Sequence, residues 1–131
     1  MIRVGIVGSR FGCAVQLPAF RSDRRCDVVT LAGGDPARTA QAAREAGIGR
    51  VQSWADLVTD PGIDAVAIAV PPALQPRIAI AALRAGKAVF LEKPLAASLD
   101  DAQAVREAAQ ASGRPVMIDF EFPELPAFRS A

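Results

Sequence analysis

The chain has 131 residues, enough for one domain of the usual ~100–200 residues and for a real hydrophobic core. Hydrophobic residues make up 51% and aromatic ones only 5%, which excludes a disordered chain and leaves Ala, Val, Leu and Ile to fill the interior. Fifteen basic residues against 14 acidic ones, with no Lys/Arg run, speak against nucleic acid or an anionic membrane as partner, and with no His no metal site is expected.

Apolar runs alternate with helical patterns along the chain. Ile2–Val7 is a short continuous apolar run, as in a central buried strand, and it has no signal-peptide architecture. Residues 12–22 read as a helix in which Pro18 must kink the chain or lie near an end. Asp27–Ala32 is a second strand, rich in β-branched residues. Asp35-Pro36 opens the next helix, with the aspartate as N-cap and the proline at the first helical position; Gly47 and Gly49 close it. A short third strand is expected at Gly49–Gln52. Ser53 then caps a small helix, Trp54–Thr59, whose inner face is Trp54, Leu57 and Val58.

Ile63–Val70 is the clearest strand, ended by Pro71-Pro72. The helix after it carries Leu74, Ile78, Ala79, Ala82 and Leu83 at helical spacing and stops at Gly86. Lys87–Leu91 reads as a fifth strand. Ser98 with Asp101 starts a helix over 98–112 in the manner of a capping box, Gly113 ends it, and Pro115–Phe120 is a sixth strand. This order predicts an α/β fold, a doubly wound parallel sheet of about six strands with right-handed crossovers, over residues 1–120. Residues 121–131, with Pro123 and Pro126, lose the pattern and read as an exit segment. The apolar runs are too short to span a bilayer, and Cys13 and Cys26 read as free thiols, so a cytoplasmic location is expected.

Gly8-Ser9-Arg10-Phe11-Gly12-Cys13 lies between the first strand and the first helix, where a dinucleotide fingerprint belongs. Glycine there permits the tight turn and lets backbone N–H groups approach a pyrophosphate at the positive end of a helix. Gly8 fits the first glycine of the pattern, but Arg10 occupies the second position and Cys13 the third, with Gly12 one residue early. Arg10 either swings outward and helps hold phosphate or weakens the loop; a plain strand-to-helix turn also explains the glycines. After the second strand stands Gly33 rather than the acid that usually meets the adenosine ribose, and Asp35 is better explained as the helix cap. A 2′-phosphate is then tolerated and Arg38 can reach it, a weak lean towards NADP over NAD.

Val70-Pro71-Pro72-Ala73-Leu74-Gln75 and Leu91-Glu92-Lys93-Pro94-Leu95 both follow strands, where ligands bind in open parallel sheets. With the glycine turn, Leu17-Pro18-Ala19, Asp35-Pro36, Trp54 and Ala85-Gly86-Lys87, they resemble the N-terminal domain of the glucose–fructose oxidoreductase and inositol 2-dehydrogenase family (Gfo/Idh/MocA) over essentially the whole chain. Glu92-Lys93-Pro94 is the most specific element. The resemblance implies a Rossmann domain for NAD or NADP, with Pro71, Pro72 and Leu74 along the nicotinamide and Glu92 near its ribose. It implies Lys93 as the catalytic residue, polarising the substrate oxygen during hydride transfer. The expected cofactor contacts are Gly8, Ser9, Arg10, Phe11, Gly12, Gly33, Arg38, Val70, Pro71, Pro72, Leu74, Gln75, Glu92, Lys93 and Pro94. Glu92 and Lys93 also read, more plainly, as a strand end at the surface.

The sequence departs from the family at Arg10, at Gln75 where many members carry His, and in lacking the second domain that supplies the substrate pocket. The expected function is a cofactor-binding domain of an oxidoreductase acting on the CH–OH group of a sugar- or polyol-like substrate, incomplete by itself. The alternative is a non-catalytic nucleotide-binding or interaction module. Phe120, Phe122, Leu125 and Phe128 form an apolar tail that predicts a homo-oligomer or a second chain as partner.

Overall fold

Five parallel strands form one sheet in the order β2-β1-β3-β4-β5: β1 (Ile2–Val7), β2 (Cys26–Ala32), β3 (Ala65–Ile68), β4 (Ala88–Glu92) and β5 (Val116–Asp119). The computed structural model describes residues 1–121. The chain starts in the middle of the sheet, moves one way to β2, then crosses back over β1 to build β3, β4 and β5. The strand order therefore reverses between β1 and β3, and the crevice at such a reversal is where open α/β sheets bind ligands.

Side chains alternate between the two faces of each strand, and each face has its own helical cover. Val4, Ile6, Val28, Leu31 and Ala67 pack with Leu17, Ala43 and Ile48, beneath α1 (Leu17–Ser22) and α2 (Pro36–Glu45). Val7, Val66, Ile68, Val89 and Leu91 pack with Leu57, Val58, Ile78, Leu83 and Val105, beneath α3 (Trp54–Thr59), α4 (Gln75–Arg84) and α5 (Leu99–Ser112). Only small and branched aliphatic side chains meet at the centre, as the low aromatic content requires. Phe20 and Phe90 are the aromatic pair, edge to face at 5.5 Å on the α1 side.

The expected caps are in place. Asp35, Ser53 and Ser98 each accept a hydrogen bond from the backbone N–H three residues on. Gly47, Gly86 and Gly113 take positive φ after α2, α4 and α5.

Among the described residues the sheet has five strands rather than the six expected, because Gly49–Gln52 forms only a single bridge, Leu31 to Val51. Leu31 N–H reaches Arg50 O at 3.1 Å and Gln52 N–H reaches Leu31 O at 3.1 Å, and the ladder stops there. Ser53 is already committed as the cap of α3, so no residue remains for a second bridge. The strand expected over 63–70 is confined to Ala65–Ile68, since Ile63 and Asp64 belong to the turn before it: Asp64 receives the backbone N–H and the guanidinium of Arg3.

The helix expected over 12–22 is divided. Gly12–Gln16 is a π-helical turn, in which Leu17 N–H bonds back five residues to Gly12 O, and α1 follows at once. Pro18 has no N–H to give to the preceding turn, and the wider turn before it absorbs that loss. Phe120 is exposed; Phe122, Leu125 and Phe128 lie outside the described residues.

Lys87, 8% exposed, precedes β4, and its ammonium donates to Asp60 O at 2.7 Å and to Ile63 O at 2.8 Å, pinning the turn between α3 and β3. Lys87→Met removes both donations and is expected to lower unfolding stability by about 2 kcal/mol in urea denaturation.

Candidate functional site

All five strands run the same way, so the segments after β1, β2, β3 and β4 emerge on one edge of the sheet. Gly8 leaves β1 at φ +131° and gives its N–H to Ala32 O at 2.8 Å, while Ala69 N–H bonds to Val7 O at 2.8 Å. A Cβ on Gly8 would collide with the Ala69 carbonyl, so only glycine brings this turn so close under the end of β3. Gly12 is buried, and a Cβ there would lie 2.6 Å from Ile6 Cγ2. The close helix-on-strand contact is thus made by Gly12, and Cys13, one residue later, is free to carry a side chain. Arg10 is exposed and does not fill the turn.

The end of β2 faces this turn. A Cβ on Gly33 would strike Thr39 Oγ1 and lie 3.0 Å from Ser9 Oγ, so the two loops touch because Gly33 has no side chain. Asp35 caps α2 through Arg38 N–H at 3.0 Å, and the Arg38 guanidinium lies 3.7 Å from its carboxylate. That backbone N–H, then the charges of Arg38 and Arg10, hold the Asp35 carboxyl below its usual range. Both arginines therefore stand beside the exit of β2.

Val70, Pro71, Pro72 and Leu74 carry the chain from β3 to α4, with Leu74 packed against the core and Pro71 exposed. Gln75 has no exposed surface: its Nε2 donates to Glu92 O at 2.9 Å and to Pro94 O at 2.7 Å. The side chain expected to touch a cofactor is turned into the protein instead, where it clamps the start of α4 to Glu92-Lys93-Pro94. The Lys93–Pro94 peptide within this segment is cis.

Glu92 is 8% exposed and lies opposite Asp119 in the β4–β5 ladder. Burial pushes its carboxyl up and the neighbouring Asp119 carboxyl adds to the rise, against the pull of Lys93 and the Gln16 amide. Gln16, 2% exposed, reaches Glu92 Oε1 with Nε2 at 3.4 Å. Lys93 Nζ lies 2.7 Å from Glu121 Oε1 and 3.9 Å from Glu92 Oε2. Gln16, Asp119 and Glu121 were not found by sequence reasoning. Asp119 and Glu121 follow from the parallel register once β5 is placed beside β4, and Gln16 is a polar residue on the inward face of a helix.

The strand edge thus gathers a glycine turn, two arginines, a proline pair and a Glu-Lys-Pro segment at the reversal of a parallel sheet. A profile of the Gfo/Idh/MocA family, described as an oxidoreductase family with an NAD-binding Rossmann fold, matches residues 2–120. The chain belongs to this family. It is 30% identical over 129 residues to an uncharacterized oxidoreductase of Synechocystis sp., covering 98% of this chain and 35% of that protein. It is 36% identical over 104 residues to scyllo-inositol 2-dehydrogenase (NAD(+)) of Bacillus subtilis, covering 75% of this chain and 30% of that enzyme. The solved structure of biliverdin reductase from Synechocystis sp., in complex with biliverdin and NADP+, matches with a TM-score of 0.87 and 37% identity, over 94% of this chain and 39% of that one. The chain spans about a third of the length of these relatives.

Because Glu92 holds a proton more tightly folded than unfolded, it costs no stability in acid and costs more as pH rises through its folded value. Glu92→Gln keeps the shape and removes the charge. Thermal unfolding is expected to show the variant melting about 3 °C higher than the parent at pH 8, with the gap closing towards pH 4.

Proposed function

We propose that the chain is the NAD(P)-binding domain of an oxidoreductase that acts on the CH–OH group of a sugar- or polyol-like substrate by hydride transfer, with NADP preferred to NAD. The observation that carries this reading is the convergence of the Gly8 turn, Pro71-Pro72 and Glu92-Lys93-Pro94 on one edge of the sheet, at the strand-order reversal. Gly8 has no room for a Cβ against the Ala69 backbone, nor Gly33 against the Thr39 and Ser9 side chains, as a close-packed pyrophosphate-cradling loop needs. The substrate class rests on relatives such as the scyllo-inositol dehydrogenase, and a cytoplasmic location fits the two free thiols.

The Gly8–Gly12 backbone would hold the pyrophosphate, and Val70, Pro71, Pro72 and Leu74 would flank the nicotinamide. Glu92 and Pro94 would border its ribose, kept in place by Gln75 from behind. A bound nicotinamide would take a hydride from the carbinol carbon, or in the reverse direction give one to the corresponding carbonyl carbon. Lys93 donates a hydrogen bond to the oxygen on that carbon and stabilises its developing negative charge. Preference for NADP follows from the exit of β2: Gly33 presents no carboxylate, Asp35 is engaged as a helix cap, and Arg38 and Arg10 both stand beside it.

Calorimetric titration with NADPH and NADH tests the reading. Saturable micromolar binding is expected, about tenfold tighter for NADPH, and Arg38→Ala is expected to remove most of that difference while changing NADH affinity less than about twofold. Lys93→Ala is expected to leave both affinities within about twofold, since its partner is the substrate. Failure of both cofactors to bind at millimolar concentration would overturn the reading and leave a non-catalytic interaction module.

A further inference from the structure

Of the 15 basic residues only Lys87 and Lys93 are lysines, and the rest are arginines. Arginine keeps its proton and its planar fork under all ordinary conditions, whereas lysine offers a compact ammonium with three donors. Lys87 spends two of those donors on buried backbone carbonyls. Lys93 spends one on a side chain, Glu121 Oε1 at 2.7 Å, and its side chain is 34% exposed at the carboxyl edge of the sheet. Glu121 reaches it because β5 ends in register with β4, with Asp119 beside Glu92.

We propose that Glu121 is the positioning residue for Lys93, and that burial beside Asp119 keeps Glu92 from replacing it as the counterion. This inference deepens the oxidoreductase reading and rests on it. Glu92 is the nearer carboxyl in sequence, yet its Oε2 stays 3.9 Å from the ammonium and accepts the Lys93 backbone N–H at 3.2 Å. It is buried beside a second carboxyl, and two such groups do not both ionise readily. Gln16 Nε2 donates to Glu92 Oε1 at 3.4 Å and pulls weakly the other way, towards the ionised form.

Glu121 is 46% exposed in its side chain, and Lys93 holds its carboxyl below the usual range. It is therefore the better anion and fixes the direction of the ammonium. One donor goes to Glu121 and the others remain for an oxygen on the cleft side. The charged groups around Lys93 are thus Glu121, Glu92 and Asp119, in that order of influence.

The test needs no cofactor, so it is independent of the calorimetry: loss of dinucleotide binding would sink the functional reading while leaving the ion pair to be judged separately. With 13C-labelled lysine the intact chain gives only two Cε signals, Lys87 and Lys93, and their positions are followed against pH by NMR. In the parent chain the Lys93 signal is expected to show an extra inflection in acid, where Glu121 takes up a proton. In Glu121→Gln that inflection disappears and the Lys93 titration falls by about half a pH unit, while Glu121→Asp restores part of it and Lys87 is unmoved. An unchanged Lys93 titration in Glu121→Gln, or an acid inflection there as large as in the parent chain, overturns the assignment. Should Glu121→Gln fail to fold, absence of the acid inflection in the parent chain overturns it equally.

Discussion

The turn after β1 passes directly beneath the end of β3, and at that crossing the chain has no room for a β-carbon. Gly8 lies against the Ala69 carbonyl at φ +131° and is held there by Ala32 O on the other side. Three strand ends are thereby locked together at the place where the strand order reverses. The rest of the site is arranged around that lock: the π-helical turn begins above it, the β2 exit touches it through Gly33 and Ser9, and the β3 exit turns away from it through the proline pair. The strain of a positive φ is carried by the one residue type that tolerates it.

On the far side of the crevice the organising force is polar. Gln75 gives both amide protons to Glu92 O and Pro94 O and fixes the Glu-Lys-Pro segment from inside the protein. Buried networks of this kind gain from low dielectric when satisfied and cost heavily when not. The two unpartnered atoms here, Gln16 Oε1 and Gln75 Oε1, belong to the two glutamines that hold the Glu92 segment. The edge of the sheet therefore combines a rigid glycine crossing at one end with a carboxyl, an ammonium and two buried amides at the other. This division suits a ligand with an anionic end and a reactive end.

Most of the architecture was legible in the sequence because it rests on local signals. Apolar runs, caps at Asp35, Ser53 and Ser98, and glycine stops at 47, 86 and 113 recur in the structure where the sequence puts them. The supposed third strand was overread: Val51 has the residue type of a strand, but pairing needs a ladder, and the cap at Ser53 cuts it to one bridge. The π-helical turn was illegible because a proline reports a missing donor and not how the preceding turn compensates. At the site, glycine spacing suggested a damaged fingerprint, whereas packing shows Gly12 making the close contact with Ile6. Gln75 read as a cofactor contact, since nothing in one sequence tells whether an amide faces a ligand or a backbone. Asp119 and Glu121 needed the register of β5 on β4, a relation between segments 28 residues apart in the Lys93–Glu121 pair.

The central claim is that a dinucleotide lies along the carboxyl edge of this sheet. Backbone amide NMR on the 15N-labelled chain during addition of NADPH tests it most directly. The account predicts shifts concentrated at Gly8–Gly12, Gly33–Arg38, Val70–Leu74 and Lys93, with the helical faces of α4 and α5 unmoved. Shifts gathered instead in the groove between α4 and α5, around Ile80, Arg84 and Arg114, or none at saturating cofactor, would contradict it.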